Sequence, residues 1–427
     1  MKEQQRTESL LGGYRVLDLA DEKGLYCGKL LADLGADVIK VEKPGGDPCR
    51  NIGPFYHDIP EREKSLYWFH FNTSKRSITL DIEKRDGREI FKKLAAQADF
   101  VVESFPPGHL DELGLGYAAL EKINPRIIVV SISPFGQTGP YRDYKASDIV
   151  AMAMGGYMNI CGDPDRPPVR VTPAQSYMNA GAQAALGAMT ALWQRATTGE
   201  GQHVDVSMQE CISNVLDTSQ QAWDLQQLIY RRMGGARMVG PLPYWVPYPC
   251  KDGYFACYQP EDFESMIAWG TELGFDPEKD PEAKALIDKA REILKQSEET
   301  GFPAVLLFDK ETFIKLLQTR RSFMGSLTKK ELMEGARERH FGWGPVNTAK
   351  DIVESEQLKA REYFVKVEHP ELEDTLTYPG APAKLSETPW RIRRRPPLIG
   401  EHNEEVYERE LGLPREELIL LKQAGVI

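Results

Sequence analysis

The pattern of apolar and polar residues along the first two hundred residues predicts strands that alternate with helices. Short runs rich in Val and Ile are typical of buried strands, and segments with apolar residues three or four positions apart are typical of helices. The predicted strands are Tyr14–Ala20, Asp37–Glu42, Ser77–Ile82, Phe100–Phe105 and Arg126–Ser133. The predicted helices are Gly24–Leu34, Asp86–Gln97 and His109–Ile123. This alternation favours an α/β fold with a mostly parallel sheet that is covered on both faces.

The pattern changes near residue 230, where Gly, Pro and aromatic residues become frequent. Lys251-Asp252-Gly253 predicts the turn of a β-hairpin between Tyr248 and residues 254–258. The predicted helices that follow have charged faces and span Glu282–Ser297, Lys310–Thr319 and Thr328–Arg337. This stretch is a candidate second domain.

The chain has 427 residues, enough for two or three domains or for one large domain with an insertion. Its 53 basic and 64 acidic residues give a net charge of −11, which disfavours nucleic-acid binding because phosphate contacts need clustered Lys and Arg. There is no apolar run of about 18 residues, the length that spans a membrane, and no signal-peptide core near the start. We therefore expect a cytoplasmic protein that binds neither nucleic acid nor membrane.

The six cysteines form no CxxC pair and have no His at a zinc-ligand spacing. They are Cys27, Cys49, Cys161, Cys211, Cys250 and Cys257. We interpret them as free thiols in a reducing compartment, so neither a disulfide framework nor a metal site is expected.

Open parallel sheets bind ligands at the carboxyl ends of their strands, so a nucleotide site is sought first after the first predicted strand. The segment there reads DEKGLYCGKLLADLG, in which Gly24 and Gly28 do not make the GxGxxG fingerprint. GxxxxGK[ST] does not occur in the chain either. The sequence therefore lacks both common phosphate-binding loops.

Seven motifs, spread in order over nearly the whole chain, resemble those of the class III CoA-transferases. They are GADVIKVEKPGGDP (35–48), NTSKRSITLD (72–81), FPPGHLDELGLGY (105–117), SISPFGQTGPYRDYKASD (131–148), GDPDRPPVR (162–170), TTGEGQHVDVSM (197–208) and PPLIGEHNEEVYERELGL (396–413). Each motif alone is a weak signal, but seven in order identify the chain as a member of this family.

The resemblance implies a Rossmann-like large domain formed by both chain ends, an inserted smaller α+β domain, and an interlocked dimer. On this plan residues 1–225 and 346–427 form the large domain, and residues 226–345 form the small domain with its linkers. The change in composition near residue 230 agrees with this division.

The resemblance also implies a reaction. An enzyme carboxylate attacks the thioester of an acyl-CoA, the CoA thiolate then attacks the acyl-enzyme, and a second acid reverses the exchange. A carboxylate suits this chemistry because it is an ionised nucleophile at neutral pH and a tolerable leaving group. Coenzyme A and acyl-CoA are expected as substrates, and no permanently bound cofactor is expected.

The nucleophilic Asp of the family is missing from this chain. Counting back from GEGQ without gaps puts Tyr177 at that position, and residues 166–199 contain neither Asp nor Glu. A phenol with an ordinary pKa of about 10 is a poor substitute, so a structural or substrate-contacting role is the main alternative for Tyr177. Asp148 matches an acidic position near the active site, or else only supplies negative charge to a helix N-terminus.

A second departure follows the first strand. Members of the family commonly place a Gln or an apolar residue there, which lines the acyl site. This chain has Asp21-Glu22-Lys23 instead, so it departs from the usual lining of the site.

Five residues match family positions that contact CoA. Lys43 takes the place of an Arg and keeps the charge without the bidentate geometry. The other four are Leu80, Phe105, Lys145 and Ala146. Solvated lysines and a core phenylalanine are the plainer alternatives. The basic run 392–397 is either a solvated or subunit-facing surface or a contact for CoA phosphates.

Four aromatic residues, Tyr157, Tyr177, Trp245 and Tyr248, are candidates to line an aromatic pocket, with core packing as the alternative. The glycine-containing segment Met233–Met238 corresponds to a loop that covers the active site in the family, or is a plain connector.

These observations lead to one main hypothesis. The chain is a CoA-transferase subunit without the nucleophilic Asp, paired with an Asp-bearing homologous subunit in a hetero-oligomer. It moves CoA from a donor such as succinyl-CoA to an acid such as an aryl-substituted succinate, as in anaerobic aromatic degradation. The alternatives are a homodimeric CoA-transferase working without the Asp, a non-catalytic CoA-binding protein, and an acyl-CoA racemase. The racemase is disfavoured because Ser147 and Tyr177 stand where its His and Asp would be.

Overall fold

In the computed structural model the described residues are 9–235, 237–239, 242–257, 263–275, 279–302 and 304–427, with only the backbone described for 237–239, 242–246 and 305. The chain divides into two compact units. The first comprises Met1–Asn159, Arg170–Ile229 and Glu356–Ile427, and the second comprises Ile160–Val169 and Tyr230–Ser355. The short segment 160–169, which the family resemblance assigned to the large domain, packs with the second unit.

The first unit contains a parallel sheet of six strands among the described residues, in the order β3-β2-β1-β4-β5-β6. The strands are β1 Arg15–Asp18, β2 Asp37–Glu42, β3 Arg76–Thr79, β4 Phe100–Glu103, β5 Ile128–Ser133 and β6 His203–Ser207. The predicted parallel α/β sheet is therefore confirmed. The strand order reverses between β1 and β4, and such a point opens a ligand-binding crevice at the carboxyl edge.

Helices cover both faces of this sheet. The helices described up to residue 226 are α1 Leu25–Asp33, α2 Leu66–Phe71, α3 Arg85–Ala95, α4 His109–Glu112, α5 Tyr117–Ile123, α6 Asp148–Met154, α7 Tyr157–Ile160, α8 Gln175–Thr198, α9 Met208–Asn214 and α10 Ser219–Gln226. Neighbouring strand residues such as Val16 and Leu17 lie in different apolar clusters, one on each face. Because both faces are buried, the strands read as continuous apolar runs rather than alternating ones.

One predicted helix, His109–Ile123, is wrong as a single element. The structure divides it into α4 and α5, with Gly114 at φ +69° between them. A positive φ is compatible with glycine and ends the right-handed helix at that point.

Helix α8 packs closely on α1 because its buried face carries small residues, among them Ala180, Gly181 and Ala184. A Cβ at Gly181 would lie 2.8 Å from the Cβ of Tyr26 on α1, so a larger residue would push the helices apart. Helix α8 ends at Gly199, which has φ +82° and leaves the helix in a left-handed conformation. The close approach brings the start of α8 to the loop that follows β1.

Four buried charged residues meet beside the carboxyl end of β1, and we call Asp18, Lys40, Asp47 and Lys75 the β1 ion cluster. Lys75 Nζ lies 2.8 Å from Asp18 Oδ2. Lys40 Nζ lies 3.2 Å from Asp47 Oδ2 and 3.9 Å from Asp18 Oδ1. Helix α1 passes directly over the cluster, and a Cβ at Gly28 would lie only 2.2 Å from Asp18 Oδ2. The CGK segment of the sequence therefore needs glycine here.

The second unit contains an antiparallel sheet in the order β10-β9-β8-β7. Its strands are β7 Arg237–Val239, β8 Leu242–Cys250, β9 Gly253–Cys257 and β10 Trp343–Pro345. Its helices are α11 Phe263–Glu272, α12 Pro281–Thr300, α13 Ala304–Leu307, α14 Lys310–Gly325, α15 Lys329–Glu338 and α16 Ala349–Glu354. The predicted hairpin is confirmed, since Cys250 pairs with Gly253 across the turn; residue 258, its predicted end, lies outside the described residues.

The C-terminal part of the first unit contains helix α17 Glu356–Ala360, the hairpin of β11 Phe364–His369 and β12 Asp374–Pro379, a π-helical segment Glu404–Glu410, and helix α18 Arg415–Gln423. Val406 and Tyr407 are fully buried in the same apolar cluster as Leu17 and Ile39 of the sheet. Both chain ends therefore contribute to one core. Within the described residues, no helix is both long enough and apolar enough to cross a membrane.

Candidate functional site

The residues predicted to contact CoA follow the carboxyl ends of the parallel strands. Lys43 comes directly after β2, Leu80 after β3, and Phe105 closely after β4. Lys145 and Ala146 lie in the segment between β5 and α6. Because parallel strands end at the same edge of a sheet, the fold places Lys43, Leu80 and Phe105 along one edge.

Side-chain contacts link some of these residues more closely than others. Glu83 Oε1 lies 3.8 Å from Lys43 Nζ and 3.1 Å from His109 Nε2. The His109 ring lies 4.9 Å from that of Phe105. Lys43 and Phe105 thus belong to one surface cluster, with Lys43 62% exposed. Leu80, in contrast, is buried in the core.

The lysine at 145 is exposed and Ala146 is half-buried. The basic run 392–397 is held largely by the protein itself. Arg393 donates to the carbonyls of Ala32 and Ala36, and Arg395 pairs with Glu401. These two guanidinium groups therefore serve the fold of the first unit.

Tyr177 lies in the first turn of α8 and is buried. Its hydroxyl accepts a hydrogen bond from the backbone N–H of Asp148 at 3.0 Å and donates to Glu22 Oε1 at 3.2 Å. Burial, together with the negative charge of Glu22, raises the pKa of Tyr177 above its ordinary value. The phenol is thus a proton donor at neutral pH, not a phenolate nucleophile.

Asp148 begins α6 and is also buried. Its Oδ1 accepts hydrogen bonds from the backbone N–H and the hydroxyl of Ser176, at 3.0 and 2.8 Å. Its Oδ2 accepts from Arg170 Nη1 at 2.9 Å. With both oxygens occupied, this carboxylate fastens the start of α6 to the start of α8.

A cavity of about 320 Å³ opens beside Tyr177. It lies between α1, α2 and the segment that leads into α8, and its lining is mainly apolar and aromatic. The lining residues are Glu22, Tyr26, Pro54, Leu66, Tyr67, His70, Phe71, Pro173, Ala174, Tyr177 and Met178. Burial and the nearby Lys29 lower the pKa of His70 to about 4, so its imidazole is uncharged at neutral pH. Glu22 is the one acidic residue in this lining.

Sequence reasoning missed most of this lining. The run LYWFHF (66–71) gave a signal, since it places four aromatic side chains and a histidine on one short helix. Of the aromatic residues predicted instead, Tyr177 lines the cavity, while Tyr248 is buried in the core of the second unit. The side chain of Trp245 and part of the segment Met233–Met238 lie outside the described residues.

No group of three or more His, Cys, Asp or Glu residues is placed to hold a metal ion in the described part of the chain. All six cysteines are free thiols, and four of them are buried.

The parallel sheet, its ligand-binding edge and the motifs along it define a CoA-transferase. The chain belongs to CoA-transferase family III, whose sequence profile matches residues 11–403.

Curated relatives match along almost their whole length. The chain is 35% identical over 425 residues to succinyl-CoA:(R)-benzylsuccinate CoA-transferase subunit BbsE of Thauera aromatica, covering 97% of each chain. It is 36% identical over 436 residues to formyl-CoA:oxalate CoA-transferase of Streptomyces coelicolor, covering 99% of this chain and 100% of that one.

A solved structure has the same fold. The crystal structure of a CAIB/BAIF family protein from Brucella suis superposes with a TM-score of 0.79 at 30% identity, covering 94% of this chain and 100% of that chain.

Proposed function

We propose that this chain is a subunit of a CoA-transferase that moves CoA from a donor such as succinyl-CoA to an aryl-substituted succinate. The observation that carries the proposal is the aromatic cavity beside Tyr177. In this family that position belongs to the nucleophile, so the cavity lies where the acyl group would be bound.

The size and lining of the cavity support an aromatic acid. An apolar cavity of about 150 Å³ is enough to hold a benzene ring, and this one measures about 320 Å³. Tyr26, Tyr67 and Phe71 offer ring surfaces at its wall. A small polar acid would fill little of this space and would leave its oxygens without hydrogen-bond partners.

The missing Asp supports a second subunit. With Tyr177 at the nucleophile position and Asp148 fully hydrogen-bonded, the usual carboxylate has no counterpart on α8. A homologous subunit that carries the Asp would supply it, and we infer a hetero-oligomer on this ground. The CoA moiety is then held by Lys43, Phe105, Lys145 and Ala146, whereas the buried side chain of Leu80 belongs to the core. The free thiols fit a cytoplasmic location.

The test is an assay of the chain co-purified with its homologous, Asp-bearing subunit. CoA esters are separated by chromatography after incubation with succinyl-CoA and either benzylsuccinate or methylsuccinate, which lacks the ring. Burial of a phenyl ring contributes about 2 kcal/mol, so we expect kcat/KM to be roughly thirtyfold higher for benzylsuccinate. Native mass spectrometry should find two different chain masses in equal numbers.

Substitution of a residue that lines the cavity tests whether the cavity binds the phenyl ring. Phe71→Ala should reduce the preference for benzylsuccinate, while the matched control Phe302→Ala, on an exposed segment of the second unit, should leave it unchanged. Equal rates with both acids would contradict the aromatic substrate. An assembly of one chain mass that transfers CoA at full rate would contradict the paired subunit.

A further inference from the structure

The carboxylate of Glu22 lies in the cavity, within hydrogen-bond distance of the residue at the family's nucleophile position. We propose that Glu22 is the nucleophile of this chain, so that the site of the Asp-lacking subunit can itself carry an acyl group and CoA. The inference rests on the proposed CoA transfer and concerns which carboxylate performs it.

The position of Glu22 follows from the packing of α1 on α8. Glu22 stands in the loop after β1, where the strand order reverses, and Tyr177 stands in the first turn of α8. These residues are 155 positions apart in sequence, yet Glu22 Oε1 lies 3.2 Å from the Tyr177 hydroxyl. A carboxylate attached to the loop therefore reaches the space beside residue 177.

The other acidic residues of this region are already engaged. Asp18 is fully buried against Lys75, and the two oxygens of Asp148 are taken. Asp21 pairs with Lys23 and accepts a hydrogen bond from Ser104.

Glu22 differs from them in its surroundings. Among the described residues, the Tyr177 hydroxyl is the one hydrogen-bond partner of its side chain, and the cavity that it lines has no other acidic residue. One carboxylate oxygen is thus oriented by the phenol, and the other is left for attack.

The reaction balances without any further reagent. A Glu22 oxygen attacks the carbonyl carbon of the acyl-CoA, the carbon–sulfur bond breaks, and CoA leaves as the thiolate with its electron pair. The product is a mixed anhydride between the acyl group and the Glu22 carboxyl. The thiolate then attacks the Glu22 carboxyl carbon and releases the donor acid as its carboxylate, which leaves Glu22 as a CoA thioester.

The acceptor acid completes the cycle by the same steps in reverse. Its carboxylate attacks the Glu22 thioester and releases the thiolate. The thiolate then attacks the acceptor carbonyl carbon of the new anhydride, which forms the product thioester and restores the Glu22 carboxylate. Tyr177 acts as a positioning residue, because its protonated hydroxyl holds Oε1 while its own oxygen is fixed by the Asp148 N–H.

The test traps the thioester. The full chain, alone and together with its Asp-bearing subunit, is incubated with succinyl-CoA and then with hydroxylamine, which converts an enzyme thioester to a hydroxamate. After trypsin digestion the label is expected in peptide 16–23, VLDLADEK, and fragment ions assign it to Glu22 rather than to Asp18 or Asp21. Glu22→Gln should remove the label, while Glu298→Gln on exposed helix α12 should keep it.

A second variant guards against loss of folding. In Glu22→Gln/Tyr177→Asp the family carboxylate is restored on α8, and the label should move to peptide 171–195. A further variant complex carries Asn in place of the Asp of the second subunit. In this complex, Glu22→Gln should reduce the remaining turnover about a thousandfold or more.

The outcomes separate the two proposals. The absence of label on Glu22 in both preparations, together with a label on the Asp of the second subunit in the pair, would overturn the role of Glu22 and leave the paired CoA-transferase intact. Turnover that fails in every pair would contradict the proposed function, whereas a label on Glu22 in the isolated chain would still support the inference.

Discussion

Asp18 at the end of β1 and Glu22 in the loop that follows are close in sequence, but their surroundings are opposite. In the β1 ion cluster, Asp18 and Lys75 are fully buried and bonded to each other. Glu22, four residues after Asp18, is half-buried at an apolar cavity, and among the described residues its side chain has only the Tyr177 phenol as a hydrogen-bond partner. A buried carboxylate whose oxygens are all paired is typical of a structural role. A carboxylate that lines a cavity with one oxygen unpaired is typical of a catalytic or binding role.

The electrostatics of the ion cluster support its structural role. For Lys75, burial lowers the pKa, and the attraction of Asp18 only partly offsets this effect. For Lys40, the charges of Asp47 and Asp18 outweigh the effect of burial, so its pKa is raised. The lysines share two carboxylates and compensate their charge. Removal of one charged side chain of the cluster therefore leaves an opposite charge buried without its partner.

The largest expected effect is on this cluster. Lys75→Met should destabilise the first unit by about 3–5 kcal/mol, because the more distant Lys40 is then the remaining cation beside the buried Asp18 carboxylate. Equilibrium urea unfolding followed by circular dichroism measures it. Lys330→Met, at an 84% exposed position, is the matched control and should change stability by no more than about 0.5 kcal/mol.

The double variant Asp18→Asn/Lys75→Met tests the cause. If the uncompensated charge is responsible, this variant should be more stable than Lys75→Met alone. A double variant as unstable as the sum of the two single changes would show that packing, not charge, makes the cluster important.

Glu103, at the end of β4, differs from both, because it is buried and forms no ion pair with any described residue. Burial is the largest effect and raises its pKa from 4.5 to about 7. Hydrogen bonds from Ser131 and the Phe105 N–H and the charge of Lys23 act to lower the pKa, while the charge of Asp111 acts to raise it. The folded chain holds this proton more tightly than the unfolded chain does. Its stabilising effect is therefore complete below about pH 4.5 and is lost as the pH rises through about 7.

The expected loss is on the order of 3 kcal/mol between these pH values. Glu103→Gln should flatten this part of the pH dependence, which melting temperatures of both proteins at pH 5 and pH 8 would measure. Parallel curves for the wild type and the variant would show that Glu103 does not titrate in this range.

Tyr177→Phe probes the cavity side with a smaller effect. It leaves the buried Asp148 N–H without its acceptor and Glu22 without its donor, which should cost about 1–3 kcal/mol in the free energy of unfolding. Tyr56→Phe removes an exposed hydrogen bond to Asp374 and should cost about 0.5 kcal/mol or less. Equal losses in the two variants would contradict the importance of the buried hydroxyl.

Lys43→Ala should have the smallest effect on stability, within about 0.5 kcal/mol, because its side chain is 62% exposed. If it contacts CoA as proposed, the Kd for CoA measured by calorimetry should rise several-fold, and the difference should shrink at high salt. Lys295→Ala, on the exposed face of α12, is the control. An unchanged Kd would leave Lys43 as a surface lysine.

The sequence predicted the sheet well for a clear physical reason. A strand buried on both faces is mostly apolar, so β1, β2, β4 and β5 are visible as short runs rich in Val, Ile, Leu or Phe. The break at Gly114 was missed, because a single glycine inside a helical pattern does not reveal whether its φ is positive.

The cavity was harder to predict. Its walls come from α1, α2 and the start of α8, and only the packing of these helices decides which aromatic side chains face each other. Tyr248 has the same residue type as Tyr177, yet it lies in the core of the second unit. Residue type alone does not distinguish the two environments.

By itself, the sequence determined the α/β alternation, the CoA-transferase motifs, and the lack of any Asp or Glu between residues 166 and 199. These are properties of local pattern and composition. The tertiary structure alone decided that Glu22 and Tyr177 meet, because the small-residue face of α8 lets α1 approach and brings together two segments 155 positions apart. A distance between such segments depends on packing, which no local pattern encodes.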